Sequence, residues 1–152
     1  MFNPLPIALS VHILAIIVWV GGMFFAHQAL RPAVIEVLDP PQRLALWAAT
    51  FKHFFVWVWI AIILVLVSGL WMLSLYPKLP VFMHIMLSLG VVMMLMFLHV
   101  FFAPYKKLKR AVAEQRWEDG AKALAQMRML IGINLSLGLI TVIVATAGKF
   151  YL

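Results

Sequence analysis

Four long stretches of this 152-residue chain contain no aspartate, glutamate, lysine or arginine. They are residues 1–30, 53–77, 79–105 and 129–148. Each is long and apolar enough to cross about 30 Å of hydrocarbon as a helix of roughly 20 residues. The apolar runs are continuous rather than alternating, which favours helices over the strands of a β-barrel. We therefore expect an all-α fold, an integral membrane four-helix bundle.

Composition supports a membrane protein. Hydrophobic residues make up 66% of the chain and the mean hydropathy is +1.06. A soluble domain of this length has too little interior to bury so much apolar surface. We expect one domain, residues 1–152, with spans at about 6–30, 53–75, 80–103 and 129–148. The first stretch lacks a basic leading segment, so we expect a retained helix rather than a signal peptide. The absence of cysteine excludes disulfides and thiolate metal sites.

The basic residues predict an orientation. Three of the twelve lie between the first two stretches and seven lie between the last two. These two connections lie on one side of a four-span protein, and the positive-inside rule makes that side cytoplasmic. The prediction is an N-out/C-out bundle with two basic cytoplasmic loops. Topology and contact with acidic lipid explain the net charge of +7, so we expect no nucleic-acid partner.

The connections also carry helix signals. Asp39 followed by two prolines predicts a helix that begins near Pro40. Pro104 predicts the end or a kink of the third span, followed by an amphipathic basic segment. Residues 117–120 predict a turn before the fourth span.

Five histidines occur in this apolar chain, and an ionisable side chain at membrane depth needs a partner or a function. His12 and His27 lie on either side of the centre of the first span, and His84 and His99 do the same in the third. Each of these four lies about 11 Å from the midplane of its helix. His12 and His84 therefore share the outer layer, and His27 and His99 share the inner one. His53, at the start of the second span, joins the inner layer, where an interfacial role is favoured.

The histidine spacing suggests a haem site. Fifteen residues separate the two histidines of each helix, so both lie within about 60° of one helical face. Two imidazoles that meet in a helical bundle form an axial pair for a low-spin haem. We expect His12 and His84 to be the metal ligands of one haem b, and a second haem at His27 and His99 is left open. The alternative is that the histidines only hydrogen-bond between helices.

Trp19 and Gly22 are further candidates for cofactor contact. Gly22 allows a porphyrin or another helix to approach the backbone, and Trp19 would then pack on the macrocycle. Close packing between helices is the alternative for both residues. The ten methionines suggest a soft metal such as Cu(I), although core packing explains most of them. No catalytic residue is identifiable.

The chain resembles the CopD-type membrane proteins, a superfamily that includes the HemJ-type protoporphyrinogen oxidases. The resemblance runs over nearly the whole chain and depends on residues in a particular order and spacing. They are His12, Trp19, Gly21-Gly22-Met23-Phe24-Phe25, Leu30-Arg31-Pro32, His84, His99 and Pro104-Tyr105-Lys106-Lys107-Leu108.

The resemblance implies a four-helix unit of the bacterial inner membrane. The HemJ branch binds haem b, oxidises protoporphyrinogen and is linked to quinone, whereas the CopD branch is associated with copper uptake or resistance. Two features differ from the HemJ pattern. A lysine expected soon after His84 is absent, and Met129-Leu130-Ile131-Gly132-Ile133 replaces an acidic, proline-containing motif. These differences place the chain closer to CopD.

Three functions follow as hypotheses. The first is a haem b protein that transfers electrons, a haem-dependent oxidoreductase with a quinone or porphyrin substrate. The alternative is a CopD-type copper uptake or resistance protein that uses the histidines with nearby methionines. The third is an assembly subunit without a cofactor. The lipid bilayer is the partner common to all three, and a homo-oligomer is left open.

Overall fold

The computed structural model describes residues 3–151, without the side chain of Lys149. Within this range there are helices and no strands, and four continuous helical runs are long and apolar enough to cross a membrane. The runs are Leu5–Val37, Pro40–Leu73, Val81–Ala113 and Trp117–Gly148. The prediction of an all-α protein with four membrane-spanning helices is confirmed. The orientation of the bundle remains a prediction.

The four runs divide into shorter elements. The first run contains α1 (Leu5–Phe25), a π-helical turn (Ala26–Leu30) and α2 (Arg31–Val37). The second is α3 (Pro40–Leu73), and the third contains α4 (Val81–Phe102) and α5 (Pro104–Ala113). The fourth contains α6 (Trp117–Ile143) and a second π-helical turn (Val144–Gly148), and α7 (Lys149–Tyr151) follows it.

The start of α3 follows from its local sequence. Asp39 has the extended backbone of an N-cap residue, and its N–H donates to the Gln42 side-chain oxygen at 3.3 Å. Proline in the first turn costs no hydrogen bond, because the first N–H groups of a helix have no partner within the helix. The predicted start near Pro40 is confirmed, and α3 begins well before its apolar stretch.

Pro104 separates α4 from α5, as predicted. Its ring prevents the α4 hydrogen-bonding pattern from continuing, and Ala103 lies outside the helical region with φ −113° and ψ −86°. The turn predicted at residues 117–120 is wrong. The chain turns at Glu114 and Gln115, where Gln115 has a φ of 55°, and Trp117 is already the first residue of α6.

The physical reason for this difference lies in the charges. Glu118 and Asp119 occupy the first turn of α6, where their negative charge is favourable beside the positive end of the helix dipole. Arg116 pairs with Asp119 at 2.8 Å and with Glu114 at 2.7 Å. A cluster that resembles a polar turn in the sequence therefore begins a helix.

The packing order of the helices positions the histidines. α1 packs mainly along α3, and α4 packs mainly along α6, while α1 also contacts α6. α5 folds back against α6 and α3. An aromatic cluster fills the core where α3, α4 and α5 meet. Its members are Trp47, Phe51, Phe55, Trp59, Phe97, Phe101 and Tyr105.

Gly138 of α6 allows three helices to approach one another. A Cβ at this position would lie 2.8 Å from Val20 Cγ2 of α1 and 3.1 Å from Met93 Cε of α4. We expect Gly138→Ala to lower the free energy of unfolding by about 1–3 kcal/mol through overpacking. Titration with SDS in mixed micelles, followed by circular dichroism, measures this change.

Gly90 of α4 provides the matched control, because a Cβ there has no neighbour within 4 Å. Gly90→Ala should leave the stability unchanged or raise it by up to about 1 kcal/mol, the gain in helix propensity. Equal effects of the two substitutions would contradict the packing described for Gly138.

Candidate functional site

His12 of α1 is hydrogen-bonded to a side chain of the neighbouring helix α3. Its Nδ1 lies 2.9 Å from the hydroxyl oxygen of Ser68, which is buried. The same hydroxyl donates its proton to the carbonyl of Leu64, one turn earlier in α3. Because a serine hydroxyl has one proton, its oxygen accepts the Nδ1–H of His12. The neutral imidazole then keeps an unprotonated Nε2, the form that binds a metal.

The backbone of α3 allows His12 to approach closely. A Cβ on Gly69 would lie 3.1 Å from His12 Cε1, so a larger residue there would crowd the imidazole. The Ser68 hydroxyl is the hydrogen-bond acceptor beside the ring. A metal-binding histidine commonly has such a partner on its other nitrogen, which sets the tautomer and the ring orientation. His12 is therefore held in a position suited to metal binding.

Ser68 is the residue that the sequence-based reasoning missed. The sequence predicts an acceptor for the second ring nitrogen of His12 but does not identify it. A signal was present, because Ser68 is the only hydroxyl-bearing residue in the stretch 54–73. The register between α1 and α3 was needed to connect it with His12.

His84 is placed differently from His12. Its side chain is exposed, on the same face of α4 as Val91 and Leu95, which are 44% and 60% exposed. The Ser88 hydroxyl donates a hydrogen bond to the backbone carbonyl of His84 at 2.8 Å, and this contact does not involve the imidazole. Within residues 3–151, no hydrogen bond joins the imidazoles of His12 and His84. Their pairing around one haem remains a prediction.

The inner-layer histidines also differ from one another. His27 lies on the first π-helical turn and packs against α6, with Nε2 3.1 Å from where a Cβ on Gly132 would be. His99 and His53 are exposed. A second haem at His27 and His99 likewise remains a prediction.

Trp19 and Gly22 both lie in contacts between helices. Trp19 is buried and meets the edge of the Phe97 ring of α4 at a centroid distance of 6.4 Å. Gly22 lies beneath the ring of Phe54 of α3, which occupies the space that a Cβ would need. These contacts are those expected of the helix-packing alternative. Contact of either residue with a macrocycle remains a prediction.

No group of three or more His, Cys, Asp or Glu side chains in the described part of the chain is arranged to hold a metal. A metal at His12 would therefore need ligands of another type. Met72 lies one turn beyond Ser68 and is half-buried, on the face of α3 that carries Ser68. Met23, Met93 and Met127 are buried in the core, as expected for side chains that fill apolar space.

Asn134 of α6 is also a buried polar residue. It donates from Nδ2 to the carbonyl of Met93 of α4 at 3.3 Å. Its Oδ1 has no hydrogen-bond partner among the described residues. The bond joins α4 and α6 in the interior of the bundle.

Residues 48–147 match the family model described as CopD, copper resistance protein D. The match covers about two thirds of the chain and includes Ser68, His84 and His99. His12, on α1, precedes it. No curated protein and no solved structure matches the chain.

The hydrogen bond to Ser68 predicts the tautomer of His12. We expect neutral His12 to carry its proton predominantly on Nδ1, because only that form donates to Ser68. Solution ¹⁵N NMR of protein labelled in its histidine rings measures this, and the His12 signals are assigned by their loss in His12→Asn.

Ser68→Ala should lower the Nδ1–H population by a factor of about 2–12, the worth of one net hydrogen bond. Ser88→Ala is the matched control and should leave the His12 signals unchanged. A predominant Nε2–H form in the unmodified protein would contradict the assignment.

Proposed function

We propose a copper-handling function for this chain, because it belongs to the CopD family, described as copper resistance protein D. In this proposal His12 binds copper during its uptake or removal at the membrane. The observation that carries the proposal is the 2.9 Å contact between His12 Nδ1 and the Ser68 hydroxyl oxygen. It orients the imidazole and leaves Nε2 available as a ligand.

The ligand types of the proposed site are suited to copper. Imidazole binds copper. A thioether sulfur selects Cu(I), because the sulfur atom and the Cu(I) ion are both soft. We infer that Met72 provides the thioether, since it follows Ser68 by one turn on the same face of α3. Gly69 lies between them in the sequence and carries no side chain that would fill the space beside His12.

A small number of ligands is consistent with copper as cargo rather than as a resident cofactor. A site of one imidazole and one thioether exchanges its metal more easily than a closed site with four ligands. The bilayer around the site has a low dielectric constant, in which burying a charged carboxylate costs free energy. A pair of neutral ligands avoids that cost. These properties suit a protein that receives copper and then releases it.

Haem b is the second candidate, because the same hydrogen-bonded imidazole is suited to an axial ligand of iron. Haem iron bound by two histidines needs a second imidazole opposite His12. His84, the predicted second ligand, lies on the exposed face of α4. Haem b and an oxidoreductase activity are therefore kept as the alternative, tested on the same sample as copper.

Copper affinity tests the main proposal. We expect purified protein in detergent to bind one Cu(I), measured by competition with a chromophoric Cu(I) chelator. His12→Ala should abolish this binding, and Met72→Leu should weaken it because the soft ligand is lost. Ser68→Ala should weaken it by about 10–100-fold, as expected when the hydrogen-bond partner of a metal-binding histidine is removed.

The controls change the same residue types elsewhere. His53→Ala and Met129→Leu remove an exposed imidazole and an exposed thioether, and both should leave the Cu(I) affinity unchanged. An absorption spectrum of the dithionite-reduced sample tests for haem b. Stoichiometric haem without bound copper would contradict the copper proposal and support the alternative.

A further inference from the structure

Two arginines line one cleft at the end of the bundle opposite to His12. Arg31 begins α2 and Arg128 lies in α6, and both are half-buried. They line the cleft together with His27, Trp47 and Phe51. The two arginines come from connections far apart in the sequence, so the fold brings them together.

Neither guanidinium group has a partner in the part of the protein that the structure describes. Among the described residues, Arg31 and Arg128 form no hydrogen bond and no ion pair through their side chains. Two other arginines, Arg43 and Arg116, do have partners for their side chains. Arg43 donates to the carbonyls of Leu38 and Ile35, and Arg116 pairs with two carboxylates. The cleft is therefore a place where positive charge is left without a counter-charge.

The two charges also act on each other. Arg31 and Arg128 line the same cleft, so their like charges repel each other. None of the described residues that line the cleft carries a carboxylate. Like charges held together in a partly dehydrated cleft are unfavourable. An anion bound between the two arginines would be attracted to both guanidinium groups and would offset their repulsion.

The backbone around the cleft is held in place. The π-helical turn Ala26–Leu30 directly precedes Arg31, and such turns frequently occur at functional sites. His27 of this turn packs against α6 at Gly132, which lies four residues after Arg128. This contact fixes the end of α1 against the start of the apolar part of α6, and so keeps the two arginines together.

We propose that Arg31 and Arg128 form a binding site for a phosphate group, and that an anionic phospholipid supplies it. Two guanidinium groups can each donate two parallel hydrogen bonds to phosphate oxygens. Phe25 and Met129, adjacent to the cleft in sequence, are 60% and 61% exposed and provide apolar surface for acyl chains. A free phosphate ion has the same headgroup chemistry but makes no use of this apolar surface.

Native mass spectrometry of the full chain tests the site. Protein released from detergent is titrated with phosphatidylglycerol or with phosphatidylcholine, and the lipid adducts are counted. We expect a preference for phosphatidylglycerol, which Arg31→Gln or Arg128→Gln weakens by about tenfold. Arg31→Lys should also weaken it, because lysine cannot donate in the bidentate manner.

Arg110→Gln is the matched control, because it removes the same charge from an exposed position in α5. It should change the lipid affinity less than twofold. Equal losses in Arg110→Gln and Arg128→Gln would overturn the proposal, since net charge alone would then explain the binding. Displacement of the lipid by millimolar inorganic phosphate would overturn the lipid assignment and indicate a free phosphate site.

A second measurement covers variants that fold poorly. Without lipid, Arg128→Gln should raise the melting temperature, because it relieves the repulsion. Added phosphatidylglycerol should raise the melting temperature of the unmodified protein more than that of the variant. A lower melting temperature of the lipid-free variant would count against the site. The inference does not depend on copper, and Arg128→Gln should leave the Cu(I) affinity unchanged.

Discussion

An imidazole inside a membrane must find a hydrogen-bond partner, and for His12 that partner is Ser68. Hydrocarbon offers no water to satisfy a ring N–H, so the hydrogen bond determines where the side chain points and which nitrogen is free. The packing of α1 along α3 and the absence of a side chain at Gly69 both serve this contact. The copper proposal depends on it more than on any other interaction in the structure.

The membrane fold could be predicted because the constraint is strong and local. Each span needs about 20 apolar residues, and the charged residues between the spans mark where they end. The start of α3 and the break at Pro104 were predictable for the same reason, since capping and proline chemistry act over a few residues. The turn at residues 117–120 was missed because Glu118 and Asp119 are equally typical of a turn and of a first helical turn.

The site was only partly predictable, because depth in the membrane does not determine direction. The spacing of His12 and His84 predicts a depth for each side chain but not the neighbour of each helix. α1 packs along α3 and α4 along α6, so His12 points to Ser68 while His84 lies on an exposed face. Successive side chains of a helix point about 100° apart, so a small rotation of the helix decides whether a histidine faces a neighbouring helix or the outside. Hydropathy alone does not determine this rotation in helices that are apolar on every side. The Arg31 and Arg128 cleft was missed for a similar reason, because it joins two connections that are remote in the sequence.

The two proposed sites lie at opposite ends of the bundle and use different chemistry. The imidazole of His12 and the thioether proposed for Met72 suit a soft metal, whereas the paired arginines suit an anionic oxygen. The most direct test of the copper site is X-ray absorption at the copper edge of the Cu(I)-loaded protein. The account predicts one imidazole and one thioether sulfur in the first shell of the unmodified protein, with the sulfur scattering lost in Met72→Leu. A first shell without imidazole scattering in the unmodified protein would contradict the account.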